Sequence, residues 1–504
     1  MQLDLSFAEI VNLETINIQI NQSHVERGTV ARKALRSVFA LGIRQVLNQG
    51  MALTGGIFLA RLLSPSEFGL YAIITFLLTF LVAFGDVGFA ASLVRQPHEP
   101  DDEDYRAVFT VQQMMVGCVI VLFWICAPWF TSVYHLPQHD RWVFRLVALS
   151  LLCTSFQVIP SARLERHLLF DKLAVVEVAM SFVFYGTSVT LAWKGVGALS
   201  FAIAIFARSL TGAVLINFIS PWRLRWHWDW ERARVHLKYG IFYQGIQLIS
   251  LVTSSFTPIY IGLLLGTAAV GYVNWAQMVS GYAVAGLMVL QRVYLPAFAR
   301  LQLQREELSK FLEQVIRSAN ALAAPVAMLT FISIVPLAKF VFGPKWLPAI
   351  PLFYLLWGTN IFVPTATPVF ALLNALGHSR TAFKYSLAVM IGTWVLGVPL
   401  ILAFGMIGYG IAALCVNALN LILYRVAQSH LRFQILPKVA PVWAIAFAVA
   451  LPTYLLMRIR PPAGAMELTI YGTLAMSIYA LVFLLKYRSD VGKVWRLATG
   501  QILG

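Results

Sequence analysis

Fourteen long apolar stretches constrain the fold of this chain more than any other feature of its sequence. Each holds about 20 mostly apolar residues, which is the length that a helix needs to cross a bilayer. The stretches are 38–60, 68–94, 108–130, 143–161, 173–193, 196–219, 240–262, 270–294, 313–341, 350–374, 382–404, 407–428, 440–458 and 467–486. Only 12% of the 504 residues are charged, against roughly 25% in soluble domains. We therefore expect an all-α polytopic membrane protein with fourteen transmembrane helices.

The basic residues predict how these helices are oriented. If the N-terminus lies inside, the even-numbered loops and both tails hold 28 of the 38 lysines and arginines, and the odd-numbered loops hold seven. Cytoplasmic loops carry an excess of Lys and Arg, so we expect both termini inside. The scatter of these residues over many short loops argues against nucleic-acid binding, despite a formal charge of +16.

A turn motif that occurs twice predicts an internal duplication. In LARLLSPSEFGLY (59–71), Ser64 and Pro65 end one helix, and Ser66 is expected to cap the next, which contains Gly69. The motif returns 202 residues later as LLGTAAVGYV (264–273), where Gly271 is in register with Gly69. We therefore expect two pseudo-symmetric six-helix lobes, followed by two extra helices.

This duplication divides the chain into six predicted parts. They are a cytoplasmic N-terminal tail (1–30), an N-lobe of helices 1–6 (31–219), a cytoplasmic linker (220–239), a C-lobe of helices 7–12 (240–430), helices 13–14 (431–486) and a cytoplasmic C-terminal tail (487–504). Four tryptophans alternate with arginines in the linker. We interpret it as an interfacial connection, although the same residues suit anionic head groups. Helices 13 and 14 either shield a lobe or bind a lipid tail.

Polar side chains within the apolar stretches are the candidate binding residues, because they are costly in a membrane and tend to face a bundle interior or a hydrated cavity. At 100° per residue, one arc of the first helix is polar or small, and the seventh helix repeats this pattern with Ser250, Ser254 and Pro258. A helix contact or an ion pair is an alternative explanation for Asp86. The candidates are Arg44, Gln45, Asn48, Gln49, Asp86, Arg208, Gln244 and Gln247.

Enzyme motifs are absent from the sequence. There is no phosphate-binding glycine loop, no HExxH and no clustered set of metal ligands. The four cysteines form no CxxC pair. We therefore predict no catalytic residue, no metal site and no cofactor.

Nine segments in this order resemble one family. They are LARLLSPSEFGLYA (59–72), DVGFAASLVRQ (86–96), VFTVQQ with the following AP (108–128), VIPSARLERHLLFDKLAVVE (158–177), KGVGALSFA (194–202), LLLGTAAVGYVNWA (263–276), PAFARLQ (296–302), VFGPKWLPAIP (341–351) and LNALGHSR (373–380). The chain resembles a bacterial polysaccharide or lipopolysaccharide biosynthesis flippase. These are the Wzx-like polysaccharide transporters of the multidrug/oligosaccharidyl-lipid/polysaccharide exporter superfamily. The resemblance runs from about residue 29 to about residue 432.

The resemblance implies a transporter in a bacterial cytoplasmic (inner) membrane. It moves a polyprenyl-pyrophosphate-linked oligosaccharide from the cytoplasmic to the periplasmic leaflet by alternating access. It implies membrane lipids, a polysaccharide polymerase and chain-length machinery as partners, and it gives no role to Arg44 or Arg208. Three alternatives remain open. They are a multidrug antiporter of the same superfamily, for which only Asp86 and Glu177 supply acidic residues, a membrane-embedded glycosyltransferase or polymerase, and a non-transporting component of a polysaccharide assembly complex.

Overall fold

The computed structural model describes residues 42–86, 88–95, 100–222 and 224–487. Within these ranges, the side chains of residues 91, 95, 236, 238–247, 288–290, 292, 293, 295 and 296 are not described. The predicted tail 1–30, and all but the first residue of the tail 487–504, lie outside the described residues. Every regular element in the described ranges is helical, which confirms the predicted all-α class.

Within the described ranges, the first half of the chain forms seven helices before the linker. They are α1 (42–62), α2 (Pro65–Asp86), α3 (Phe89–Arg95), α4 (Asp102–Val133), α5 (Arg141–Arg166), α6 (Phe170–Trp193) and α7 (Leu199–Ile219). The predicted second stretch, 68–94, is two helices, because the chain turns at Gly88, where φ is 79°. Positive φ is a conformation that glycine adopts without steric cost.

The second half, as far as residue 487, forms eleven helices and short π-helical or 3₁₀ turns. The helices are α8 (Trp230–Ser255), α9 (Gly262–Ala285), α10 (Leu287–Leu301), α11 (Arg305–Pro336), α12 (Ile350–Thr359), α13 (Val363–Ala375), α14 (Ser379–Phe404), α15 (Met406–Asn417), α16 (Leu419–His430), α17 (Leu436–Ile459) and α18 (Ala465–Lys486). Phe256–Ile261 and Leu337–Phe342 are π-helical, and Pro344–Ala349 is 3₁₀. The predicted stretches 270–294, 350–374 and 407–428 are therefore each interrupted.

Eleven helical segments of the described chain are long and apolar enough to cross a membrane, and one bent pair brings the number to twelve. The described part of α1, with its polar face, is not among them. The segment Leu248–Ala285 counts once, although Gly266 breaks it with φ 82° and ψ 173°. The count of fourteen and the inside location of both termini stay predictions.

The first turn motif forms a capped helix start. Helix α2 begins at Pro65, and the Ser64 hydroxyl accepts a bond from the Glu67 backbone N–H at 3.3 Å. The Glu67 carboxylate accepts in return from the Ser64 backbone N–H at 2.7 Å. This reciprocal pair is a capping box. Ser64 is therefore the cap, and the expectation of Ser66 is wrong by two residues, since Pro65 already occupies the first helical position.

The two motif glycines meet at a helix crossing. A Cβ atom on Gly69 would lie 1.8 Å from the Thr267 carbonyl oxygen, and one on Gly271 would lie 1.9 Å from the Pro65 carbonyl oxygen. Each glycine thus touches the residue four positions before the other glycine. Such a reciprocal contact is what a two-fold axis generates. The contact agrees with the predicted duplication and brings α2 and α9 together with no side chain between them.

The hydrophobic cores show where the predicted lobes join. One large core includes Leu63, just before α2, and Ile73 of α2. Val273, Trp275 and Trp346 from the second half belong to the same core. At the opposite end of the helices the cores are separate. One lies among α3, α4 and α5, and another lies among α10, α11, α13 and α16. The lobes therefore pack together at one end and apart at the other.

The predicted linker 220–239 is partly helical, because α8 begins at Trp230. Arg232 forms ion pairs with Asp101 at 2.9 Å and with Asp104 at 3.1 Å, at the start of α4. The pKa of Asp101 is lowered, first by the backbone N–H of Asp104 and then by the Arg232 side chain. Ala233 is buried in the N-lobe core. The first turns of α8 are thus attached to the N-lobe.

The two C-terminal helices pack on α11. The Trp443 indole N–H donates to the Asn320 side-chain oxygen at 2.9 Å, and the Tyr479 hydroxyl donates to the Ala321 carbonyl at 3.1 Å. Ala324 lies in the small core between these helices. Helices α17 and α18 therefore cover one flank of the C-lobe.

Candidate functional site

A cavity of about 710 Å³ lies between α2 of the N-lobe and five segments of the second half: α8, the π-helical Phe256–Ile261, α9, α14 and α15. Its lining is mostly hydroxyl, amide and small apolar side chains. No Asp, Glu, Lys or Arg lines it among the described residues. The lining residues are Ala72, Thr75, Phe76, Thr79, Ile249, Ser250, Thr253, Ser254, Thr257, Pro258, Asn274, Gln277, Tyr385, Ser386, Val389 and Tyr409.

Hydrogen bonds fix the polar groups on one wall of this cavity. The Gln277 amide donates to the Tyr409 hydroxyl at 2.7 Å, which joins α9 to α15. The Tyr385 hydroxyl donates to the Asn420 side-chain oxygen at 2.7 Å, which joins α14 to α16. Each of these groups keeps hydrogen-bonding capacity beyond the one bond. The wall therefore offers neutral donors and acceptors in fixed positions.

Sequence periodicity had found part of this lining. Ser250, Ser254 and Pro258 were placed on one arc of the seventh helix, and all three line the cavity. The predicted residues Gln244 and Gln247 lie on the same helix, but their side chains are outside the described set.

The aromatic part of the lining was missed by the sequence reasoning. A tyrosine such as Tyr385 or Tyr409 is equally common at a membrane interface. The hydroxyl groups of α2 were missed as well. For these, a usable signal is the spacing of four residues between Thr75 and Thr79, which places both hydroxyls on one face of the helix.

Arg44 lies in α1, near the first described residue of the chain, and is paired. Its guanidinium is 2.5 Å from the Glu177 carboxylate on α6, with the two side chains 13% and 45% exposed. The Arg44 Nε atom and the Asn48 side-chain oxygen are buried without a hydrogen-bond partner among the described residues. A buried polar atom that lacks a hydrogen-bond partner suits a further polar ligand. Gln45 and Gln49, on the same arc, are half-buried.

Arg208 lies in the middle of α7 and is exposed. Its guanidinium carbon is 6.0 Å from the centre of the Phe184 ring on α6, within cation–π range. Glu177 and Phe184 are seven residues apart, so they share one face of α6 and lie about 10 Å apart along its axis. The two predicted arginines therefore line the same helix at two depths.

Asp86 has a structural role in the described residues. It is the last residue of α2, and its carboxylate accepts a hydrogen bond from the Ala90 backbone N–H at 3.3 Å. It caps α3 across the turn at Gly88. Capping explains this acidic side chain without a ligand.

Hydrogen bonds join the two lobes near the C-terminal end of α1 and at Pro258. The Lys345 ammonium donates to the carbonyls of Arg61 and Leu63 at the end of α1. The Trp346 indole N–H donates to the Ala60 carbonyl at 2.8 Å. The Tyr134 hydroxyl donates across the lobes to the Pro258 carbonyl at 3.1 Å. A cation at a helix C-terminus also interacts favourably with the helix dipole.

Among the described residues, no group of three or more His, Cys, Asp or Glu side chains is placed to hold a metal ion. The described lining of the cavity offers neutral hydrogen-bonding groups.

Comparison with known proteins connects this architecture to polysaccharide assembly. A family model described as "Polysaccharide biosynthesis protein" matches residues 58–351. The succinoglycan biosynthesis transport protein ExoT of Rhizobium meliloti (strain 1021) is 23% identical, with 66% of this chain and 68% of ExoT aligned. The lipopolysaccharide biosynthesis protein WzxC of Escherichia coli (strain K12) is 21% identical, with 68% of this chain and 70% of WzxC aligned.

A solved structure shares the fold. The lipid II flippase MurJ in an inward closed conformation aligns with a TM-score of 0.72 at 13% identity, and the match covers 91% of this chain and 100% of MurJ. At this identity the likeness shows the fold alone.

Proposed function

The chain belongs to the polysaccharide biosynthesis protein family, as its sequence segments predicted, and from that premise we propose that it is a lipid-linked oligosaccharide flippase. Family and fold indicate a multi-pass bacterial membrane transporter rather than an enzyme. The proposed substrate is an oligosaccharide repeat unit on a polyprenyl pyrophosphate. The proposed direction is from the cytoplasmic to the periplasmic leaflet.

The observation that carries this proposal is the neutral polar cavity between the lobes. A glycan that crosses hydrocarbon unaided loses the hydration of its hydroxyls. The fixed groups of Gln277, Tyr385 and Tyr409 replace part of that hydration. Aromatic rings also give flat apolar surface for sugar faces. A cation antiporter needs an acidic lining, which the described cavity lacks.

The two arginines suit the pyrophosphate. A guanidinium group binds phosphate oxygens with two parallel hydrogen bonds. Arg208 offers an exposed guanidinium, and Arg44 exchanges its Glu177 partner for a phosphate of higher charge. Two negative charges that leave an inside-negative cell gain about 4.6 kcal/mol per 100 mV. The membrane potential thereby drives export in this scheme.

The arrangement of the cores supports alternating access. The lobes share one core at the end that the positive-inside rule predicts to be periplasmic, and they have separate cores at the other end. We infer that this conformation admits substrate from the cytoplasm. Export then requires the contacts of Lys345, Trp346 and Tyr134 with the opposite lobe to break.

Deletion of the gene followed by lipid analysis tests the function. We expect lipid-linked repeat units to accumulate on the cytoplasmic side and polymer export to stop, with both restored by the wild-type gene. Unchanged export and no accumulation would contradict the proposal.

Substitution of Arg208 tests the phosphate site. Arg208→Ala should lower substrate affinity about 10- to 150-fold, because this is the factor that the free energy of a charge-assisted hydrogen bond contributes to binding. Arg208→Lys should restore part of it, because the charge remains without the bidentate fork. Lys194→Ala, which removes an exposed cation from the loop between α6 and α7, is the matched control. Equal export by Arg208→Ala and Lys194→Ala, at equal protein level, would exclude this role.

A further inference from the structure

A second cavity lies on the flank of the C-lobe, between α11 with its π-helical end, α12 and α17. Its volume is about 730 Å³. It shares no lining residue with the cavity between the lobes. It therefore needs an explanation separate from the transport route.

The α11 wall changes from apolar to cationic along its length. Met328, Phe331 and Val335 line the cavity at helical spacing, and Lys339 follows four residues later. The helix ends at Pro336, and the π-helical turn Leu337–Phe342 carries the lysine beyond it. The Lys339 ammonium lies 5.4 Å from the centre of the Phe340 ring.

The α17 wall has the same gradient. Phe447, Leu451 and Tyr454 line the cavity at helical spacing, and Arg458 follows in the last turn of the helix. The Arg458 guanidinium lies 3.4 Å from the Tyr454 hydroxyl. Lys339 and Arg458 therefore line one cavity, together with Pro461 and Pro462 of the loop that follows α17.

Charge complementarity identifies the class of ligand. Neither Lys339 nor Arg458 has a carboxylate partner within the part of the chain that the structure describes, and no Asp or Glu lines the cavity there. Two cations above an apolar cavity match a molecule with a phosphate group and a hydrocarbon chain. The loop 460–464 is predicted to lie outside, so the phosphate lies at the outer surface of the membrane.

We propose that this cavity binds one anionic phospholipid of the outer-facing leaflet. Lys339 and Arg458 hold the phosphate, and an acyl chain lies between α11 and α17. The lipid then fixes α17, which lies outside the predicted duplication, to the C-lobe. A ligand that binds only the folded state stabilises it in proportion to its concentration.

Native mass spectrometry of the full chain, with phosphatidylglycerol as the added lipid, tests this proposal. The wild type should retain one phosphatidylglycerol molecule through detergent exchange. The double variant Lys339→Gln/Arg458→Gln should bind it about 30-fold more weakly, from the usual contribution of two basic residues. The matched control Lys194→Gln/Arg460→Gln removes two cations that do not line the cavity and should bind as the wild type does.

A second variant keeps the test independent of charge. Leu451→Trp adds volume on a lipid-exposed lining position and should displace the acyl chain while both cations remain. Equal retention by the double variant and its control would overturn the proposal, as would retention by Leu451→Trp. Failure of the wild type to retain phosphatidylglycerol would overturn it too, and so would selective retention of a polyprenyl phosphate. None of these results depends on export, so the proposed flippase function is tested separately.

Discussion

Replacing Gly69 by alanine should open the protein at the end that the positive-inside rule predicts to be periplasmic. The added Cβ atom would lie 1.8 Å from the Thr267 carbonyl oxygen, where ordinary contact begins at 3.4 Å. Helices α2 and α9 must therefore separate by about 1.6 Å at their crossing. The obstacle is backbone, so no side-chain rotation relieves it. The clash exists only while the lobes are closed at this end, because opening moves the two helices apart.

The size of the effect follows from the cost of overpacking. Inserting one methyl group into a tightly packed contact costs about 1–3 kcal/mol. The whole cost falls on the closed conformation, so the ratio of open to closed molecules should rise by about 5- to 150-fold. Gly271→Ala should act in the same direction, because its Cβ meets the Pro65 carbonyl oxygen at 1.9 Å. The double variant should fall short of the sum, because both changes strain one contact.

Spin-label distances measure this equilibrium. Labels attached at Lys194→Cys and Phe404→Cys, in a chain without its native cysteines, report the separation of the lobes at their outer ends. We expect Gly69→Ala to add a population at longer distance. Gly281→Ala is the matched control, because it lies on the same helix as Gly271 and its Cβ would meet nothing within 4 Å. A wild-type distance distribution for Gly69→Ala, in a variant that folds normally, would refute the reasoning.

Three further contacts are tested by substitution or by a change of pH. Glu177→Gln leaves Arg44 without its carboxylate and should cost about 1–2 kcal/mol of unfolding free energy at this half-exposed site. Addition of Arg44→Gln should recover part of that loss in thermal unfolding. Trp346→Phe removes one hydrogen bond between the lobes, worth about 1 kcal/mol, and should lengthen the spin-label distance slightly. The pKa of Asp101 lies below its ordinary value of 3.8. The Asp101 carboxylate should therefore stay paired with Arg232 at neutral pH, and this ion pair should be lost only as the pH falls below 3.8. Protease cleavage in the segment 224–229 should then rise in acid for the wild type, and at every pH for Arg232→Gln.

The sequence predicted the helical class, the family and the repeated motif, because these depend on local apolar runs and short turns. It predicted less well where each helix is interrupted. The stretch 68–94 reads as one apolar run, yet Asp86 and Gly88 form a turn inside it. An apolar run satisfies a straight helix and a broken one equally well, so hydropathy does not distinguish them.

The candidate site was predicted in part for a related reason. Periodicity places Ser250 and Ser254 on one face, which the cavity lining confirms. Periodicity does not indicate which helix packs against a given face. The pairing of Arg44 with Glu177 was therefore not predicted, because it joins two residues that are 133 positions apart in the chain. Tyr385 and Tyr409 were missed because a tyrosine in an apolar run has several common roles.

The attachment of α8 to the N-lobe has a mechanical consequence. Ala233 is built into the N-lobe core, whereas Ser250 and Ser254 of the same helix line the cavity wall of the other lobe. The two lobes are therefore joined by one continuous helix. A rocking motion of one lobe, as proposed for transport, would exert torque along α8, and the helix would have to bend, twist or slide to accommodate it. Such a motion would reach Ser250 and Ser254 at the cavity wall through the backbone of α8 itself.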